Sequence, residues 1–206
     1  TRDAGNRHIF MNGIQEILGV EPEIISGTEE AALSFAGALS SVGNTEQMTL
    51  VIDLGGGSTE FVLGNKDGVA ASQSVNIGCV RMTERHVSSN PPSVDQIARV
   101  IADTDRAIGG ASAEVDFTVA ERLVGVAGTV TTVTAHALGL DSYDPQAIDR
   151  TELSIKDISK AAADLVAMTT EERAELGFMH EGRVDVIGAG SIVWARIIER
   201  ISKMTE

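Results

Sequence analysis

Apolar residues recur at helical spacing through residues 3 to 18 (DAGNRHIFMNGIQEIL), and Gly19 stands where a helix C-cap belongs. The run EPEIIS that follows reads as a short strand. Ser26 with Glu29 three positions later is a capping box, which opens a helix from about 27 to 42. On that helix Ala32, Phe35, Ala36 and Leu39 make the apolar stripe. Glu30, Ser34, Gly37 and Ser41 fall on another face, small and polar. Strands are expected at about 49 to 53, 59 to 64 and 69 to 76. A glycine turn joins the first two and the hairpin signal NKDG joins the next two, giving an antiparallel meander.

SSNPPS (88 to 93) is a loop, and Ser93 with Gln96 caps a helix expected to run to about 108, stopped by Gly109 and Gly110. ERLVGVAGTVTTVTAHALGL reads as strand, glycine turn and helix. Two more capping signals, Ser154 with Asp157 and Thr169 with Glu172, make the last quarter helical. A meander followed by alternating helices and strands is an α/β pattern. Aromatic residues are only 3% of the chain, so the core must be built from Ala, Val, Leu and Ile.

The chain has 206 residues and a formal net charge of −14. Such an acidic surface repels nucleic acid and anionic membranes, so neither is an expected partner. It also means that a polyanionic ligand would need local dipoles or cations. A single cysteine, Cys79, forms no internal disulfide and fits a reducing compartment. No apolar run reaches membrane-spanning length and no signal pattern opens the chain, so a cytoplasmic protein is expected. The start at Thr1, without Met and directly in helical pattern, suggests a fragment.

The chemistry concentrates in VIDLGGGSTEFVLG (51 to 64). Bare backbone at Gly55, Gly56 and Gly57 lets N–H groups close on phosphate oxygens, and Ser58 and Thr59 add hydroxyl donors. Asp53, at a strand end, is placed to hold Mg²⁺ directly or through water. A tight hairpin with a glycine bulge explains the three glycines equally well. The absence of Gly-Lys-Ser/Thr excludes the mononucleotide P-loop. A second glycine turn, GVAGTVTT (125 to 132), has Gly128 and Thr129 opening a helix whose N-terminus attracts anions, although Thr129 also suits a plain N-cap. Strand alternation puts Glu60 and Val62 on one face and Thr59, Phe61 and Leu63 on the other. An exposed strand-end acid is the plain alternative for Glu60. Glu30, unexplained by the capping box, is placed to act as general base for water.

The ordered set TRDAGNR, EIISGTEEAALSFAGA, VIDLGGGSTEFVLG, NIGCVRMTER, GVAGTVTT and MTTEERAELGFMHEGRVDVIGAGSIV resembles the exopolyphosphatase / guanosine pentaphosphate phosphohydrolase (Ppx/GppA) family over essentially the whole chain. The resemblance implies a ribonuclease H-like domain of the actin-like kind, with a central mixed sheet and flanking helices. It implies hydrolysis of the terminal phosphoanhydride of inorganic polyphosphate or guanosine pentaphosphate by in-line attack of water. Glu30 would be the catalytic base, Asp53 the holder of the divalent cation, and Glu60 an orienter of water or metal. Gly55 to Ser58 would cradle the terminal phosphate, with Gly128 and Thr129 as a further turn. Two departures stand out: Ala32 occupies a position where many members carry arginine, and the first domain's Asp-x-Gly-Ser/Thr-Asn phosphate loop has no match. The chain is therefore expected to be the second domain alone, half of a cleft, with pairing into a homodimer left open. A kinase of the same superfamily and a non-catalytic polyphosphate or nucleotide sensor are the rival readings.

Of the remaining residues, Arg81 and Arg85 share a helix face that reads as solvated, or else as a polyanion contact. His8, His86, His136 and His180 lack metal-ligand spacing. Cys79 reads as a small buried hydrophobe and Trp194 as core. Asp185 resembles a family position near the cleft or serves as a helix N-terminal acid.

Overall fold

The computed structural model describes residues 5–43 and 46–205, apart from the Thr28 side chain. By internal contacts it forms two compact units, Thr1–Glu30 and Ala31–Glu206. In the first unit, helix α1 (Arg7–Leu18) ends at Gly19, whose left-handed backbone (φ 70°) lets its N–H close on Gln15 O. No residue of α1 is buried, and Ile9, Phe10, Ile17 and Leu18 are largely exposed. Residues 21–26 form no strand. Pro22 lacks an amide, and the four-stranded sheet adds no partner for this run. The capping box at Ser26 forms as expected: the amides of Ser26 and Glu29 each meet the other's side chain. It opens α2 (Gly27–Val42).

The second unit is built on strands β1 (Thr49–Leu54), β2 (Thr59–Asn65), β3 (Gly68–Val75) and β4 (Arg122–Val126) in the order β3-β2-β1-β4. β1, β2 and β3 are the expected antiparallel meander, and β4 runs parallel to β1, which makes the sheet mixed. This is an α/β fold with flanking helices. Only one strand follows the meander, so the second half is more helical than an alternating pattern.

The helices are α3 (Cys79–His86), α4 (Val94–Ala111), α5 (Gly128–Ala137), α6 (Pro145–Ile148), α7 (Ile155–Ala167), α8 (Thr170–Ala174) and α9 (Ile187–Thr205). The caps at Ser93, Ser154 and Thr169 all form. α4 does not stop at Gly109. It runs through both glycines because Ile108 and Ala111 are buried in the core, and that burial outweighs the roughly 1 kcal/mol that each helical glycine costs.

One sheet face carries Leu50, Ile52, Leu54, Phe61 and Leu63 into the main core, with Trp194 and the other apolar residues of α9. Phe61 and Phe117 stack at 5.2 Å there. The other face carries Val51 and Val62 under α2. The stripe α2 presents to it is Ala31, Phe35, Ala38 and Leu39, whereas Ala32 and Ala36 are exposed. The true stripe thus starts one residue earlier than the pattern suggests. No helix among the described residues is long and apolar enough to cross a membrane.

Candidate active site

Asp53 and Glu60 stand directly opposite each other in the antiparallel β1–β2 pair, immediately before and after the glycine turn. Cross-strand partners project from the same face, with Cβ atoms about 5 Å apart. That face is the one covered by α2, and Ser34 of α2 donates to Asp53 Oδ2 at 2.7 Å. Ser74 of β3, the partner of Glu60 in the next ladder, donates to Glu60 Oε1 at 2.7 Å. Each carboxylate is held by one hydroxyl and keeps its second oxygen. Glu60 is only 5% exposed, so it is no solvated strand-end acid. Thr59 does not join this group. Its side chain is fully buried on the opposite face, and its hydroxyl donates to Ile77 O.

The turn itself is braced through its carbonyls. Gly55 O accepts from Cys79 N, and Gly56 O from both Val80 N and Arg81 N, so the first turn of α3 is spent on holding the loop. Arg81 Nε adds a 2.7 Å bond to Gly57 O. Arg81 is thus a brace for the turn, while its neighbour Arg85 pairs with Asp103. Gly78 seats the helix: a Cβ there would lie 2.3 Å from Gly56 C, too close for any side chain. The amide of Gly55, expected to face phosphate, instead donates to Ser58 O at 3.0 Å and closes the turn, whereas no acceptor meets the amides of Gly56, Gly57 and Ser58 among the described residues. None of the three turn glycines has positive φ, and a Cβ at Gly57 would meet only Arg81 Nη2, at 3.5 Å. The fold does not demand glycine at 57, and bare backbone there leaves room for a ligand to approach the turn amides.

The second turn lies at the end of β4, whose Val126 is the partner of Asp53 in the parallel ladder. The N-cap of α5 is Ala127, not Thr129, and its backbone (φ 77°, ψ 175°) lies in a region that glycine alone visits freely. Gly128 and Thr129 form the first turn of the helix, with the Thr129 side chain buried. Arg183 lies over Gly128: a Cβ there would be 2.5 Å from the guanidinium carbon, and Nη1 reaches Thr132 Oγ1 at 3.3 Å. The sequence reading passed over Arg183. Its one signal in the sequence is its place in the family-like stretch MTTEERAELGFMHEGRVDVIGAGSIV.

Glu30 is exposed in the first turn of α2 and belongs to the first compact unit, Thr1–Glu30. Cys79 is half-buried rather than buried, Trp194 is core, and Asp185 is exposed before α9. Of the histidines, His86 pairs with Asp103, His136 packs on Phe178, His180 caps Gly182 and His8 is exposed. A cavity of about 270 Å³ lies between residues 87–92 and the start of α9. Its buried Arg173 donates to the carbonyls of Leu165, Val184 and Val166, a structural use, and burial, which disfavours the cation, lowers its pKa.

A model of the Ppx/GppA phosphatase family matches residues 1–205. The chain belongs to the Ppx/GppA phosphatase family. It is 41% identical over 197 residues to exopolyphosphatase 2 of Mycobacterium tuberculosis, covering 93% of this chain and 61% of that protein. The crystal structure of an exopolyphosphatase-like protein is similar with a TM-score of 0.94 and 46% identity, over 99% of this chain and 66% of that one. The Ppx/GppA family member of Aquifex aeolicus gives a TM-score of 0.81 and 26% identity, over 98% of this chain and 64% of its own. The chain thus spans about three fifths of the curated relative. In the Ppx/GppA frame the two glycine turns and the Asp53–Glu60 pair occupy one end of the sheet.

The donors suit magnesium. Asp53 and Glu60 offer hard carboxylate oxygens, and the described residues hold no cluster of three metal-ligating side chains. Mg²⁺ is commonly held by one or two carboxylates together with water and substrate phosphate, so this sparse set fits it.

Proposed function

We propose that the chain is the second, ribonuclease H-like domain of a cytoplasmic phosphoanhydride hydrolase acting on inorganic polyphosphate or guanosine pentaphosphate. The observation that carries this reading is the Asp53–Glu60 pair flanking a glycine turn whose carbonyls are braced and whose glycine at 57 serves no need of the fold. The family relatives include exopolyphosphatases, which supports water as acceptor over the kinase and sensor readings.

The turn amides of Gly56, Gly57 and Ser58 and those of Gly128 and Thr129 hold the terminal phosphate, while the Gly55 amide closes the turn on Ser58 O. Arg183 supplies a cation beside the second turn. Asp53, oriented by Ser34, would hold Mg²⁺, which when bound neutralises charge on the phosphoryl oxygens. Glu60 orients the attacking water or the metal's waters. Glu30 takes the proton from the water as it attacks in line, an assignment that rests on the family resemblance.

The test is phosphate release from polyphosphate with Mg²⁺, measured for this chain and for a version extended upstream. Glu30→Gln should slow release about a hundredfold or more, the usual contribution of a general base. Full release by Glu30→Gln would remove the base assignment. Binding without turnover by the longer protein would favour the sensor.

A further inference from the structure

Gly190 lies in the first turn of α9, in a stretch where Ile187 to Trp194 are all buried. A Cβ on Gly190 would sit 2.9 Å from Cys79 Cβ and 2.9 Å from both Cγ2 and Oγ1 of Thr129. Cys79 opens α3, whose amides hold the first glycine turn, and Thr129 lies in the first turn of α5, behind the second. Three helix N-termini therefore meet at one hydrogen atom. The contact with Cys79 involves its Cβ, which no rotamer change can move. Elsewhere a buried helical glycine costs stability relative to alanine, and Gly109, with nothing within 4 Å, shows what an uncrowded helical glycine looks like in this chain.

We propose that Gly190 is a positioning residue that sets the spacing between the two phosphate-binding turns. It touches no substrate and acts through Cys79 and Thr129. The inference rests on the hydrolase reading for its consequence, though not for its geometry. A methyl at 190 must drive α3 outward, because Cys79 Cβ moves only with its helix whereas the Thr129 contacts are to atoms beyond Cβ, so that the amides of the first turn no longer converge with those of the second on a single phosphoryl group.

Cys79 is the only cysteine, so its alkylation by iodoacetamide well below Tm reports the position of α3 without any ligand. Gly190→Ala should change that rate severalfold and weaken Mg²⁺-tripolyphosphate binding severalfold by calorimetry. Gly188→Ala is the control for a merely structural effect. Its Cβ would press on the far end of Arg173, at 2.7 Å from Nη2, and should lower Tm while leaving both readouts unchanged. If Gly190→Ala fails to fold, adding Thr129→Ala removes two of the three contacts; the double variant should fold with the Cys79 rate still shifted. A wild-type Cys79 rate in the folded variant overturns the proposal, whatever happens to Tm. If neither the unmodified chain nor its upstream-extended version binds tripolyphosphate, the hydrolase reading fails and the Cys79 rate still decides the role of Gly190.

Discussion

Two residues of the glycine turns are mismatched to their own backbones, in opposite senses. Gly57 has neither positive φ nor a crowded Cβ position, so alanine fits there without strain. Ala127 holds φ 77° and ψ 175°, where a methyl costs about 1–3 kcal/mol. Chains keep such mismatches where geometry serves a ligand. Gly57→Ala should raise stability by about 0.5 kcal/mol through the unfolded chain's lost freedom. On the proposed function it should also cut phosphate release about tenfold or more, because a methyl in the turn would hold the phosphate off the amides and one charge-assisted contact would be lost. Ala127→Gly should raise stability by about 1 kcal/mol, the strain relieved less the entropy that glycine loses. Urea denaturation of both variants, read beside phosphate release, checks the pair. A Gly57→Ala protein that is destabilised and fully active would make the triple glycine a folding device.

At the level of elements, what the sequence displayed was local, and what it hid was the brace between elements. Capping boxes at Ser26, Ser93 and Thr169, the NKDG hairpin and both glycine turns are short-range signals and all formed. Strand alternation put Glu60 on the face of Val62, and the register adds Asp53 as its cross-strand partner there. The failures are tertiary. Residues 21–26 look like a strand but have no neighbour in the sheet, and Gly109 and Gly110 do not end α4 because its apolar face continues to Ala111. The bond from Arg81 to Gly57 O and the seat of Arg183 over Gly128 join residues far apart in sequence, and no periodicity announces them. The α4–α9 seam is another such link: Arg196 of α9 forks onto both oxygens of Asp105 of α4 at 2.7 Å each. Those bonds hold the Asp105 carboxyl below its ordinary range. Its contribution is therefore present above the unfolded value of about 4 and is lost as pH falls through the lower folded value. Asp105→Asn should cost about 1 kcal/mol at pH 7 and nearly nothing below the folded value. Urea midpoints at pH 7 and in strong acid measure the difference; an equal loss at both would make the seam's contribution packing rather than charge.

For the molecule as a whole, the proposed function sets a net charge of −14 against a polyanionic substrate. On that function, attraction comes from the site, where turn amides, Arg81 beside Gly57 and Arg183 over Gly128 gather positive ends. Repulsion is spread over the surface and acts at long range. Salt distinguishes the two, since the Debye length shrinks from about 30 Å at 0.01 M to about 10 Å at 0.1 M, well beyond contact distances but within the size of the domain. Screening therefore removes the repulsion before it weakens the contacts. With Mg²⁺ held fixed and in excess, kcat/KM for polyphosphate should rise as monovalent salt is added over that range, through a lower KM at unchanged kcat. A protein that gathers a polyanion with a basic surface behaves the other way, losing affinity steeply over the same range. A fall in kcat/KM from the first addition of salt would mean that a basic channel outside residues 5–205 feeds the substrate in. The acidic surface of this chain would then be a back wall rather than the approach.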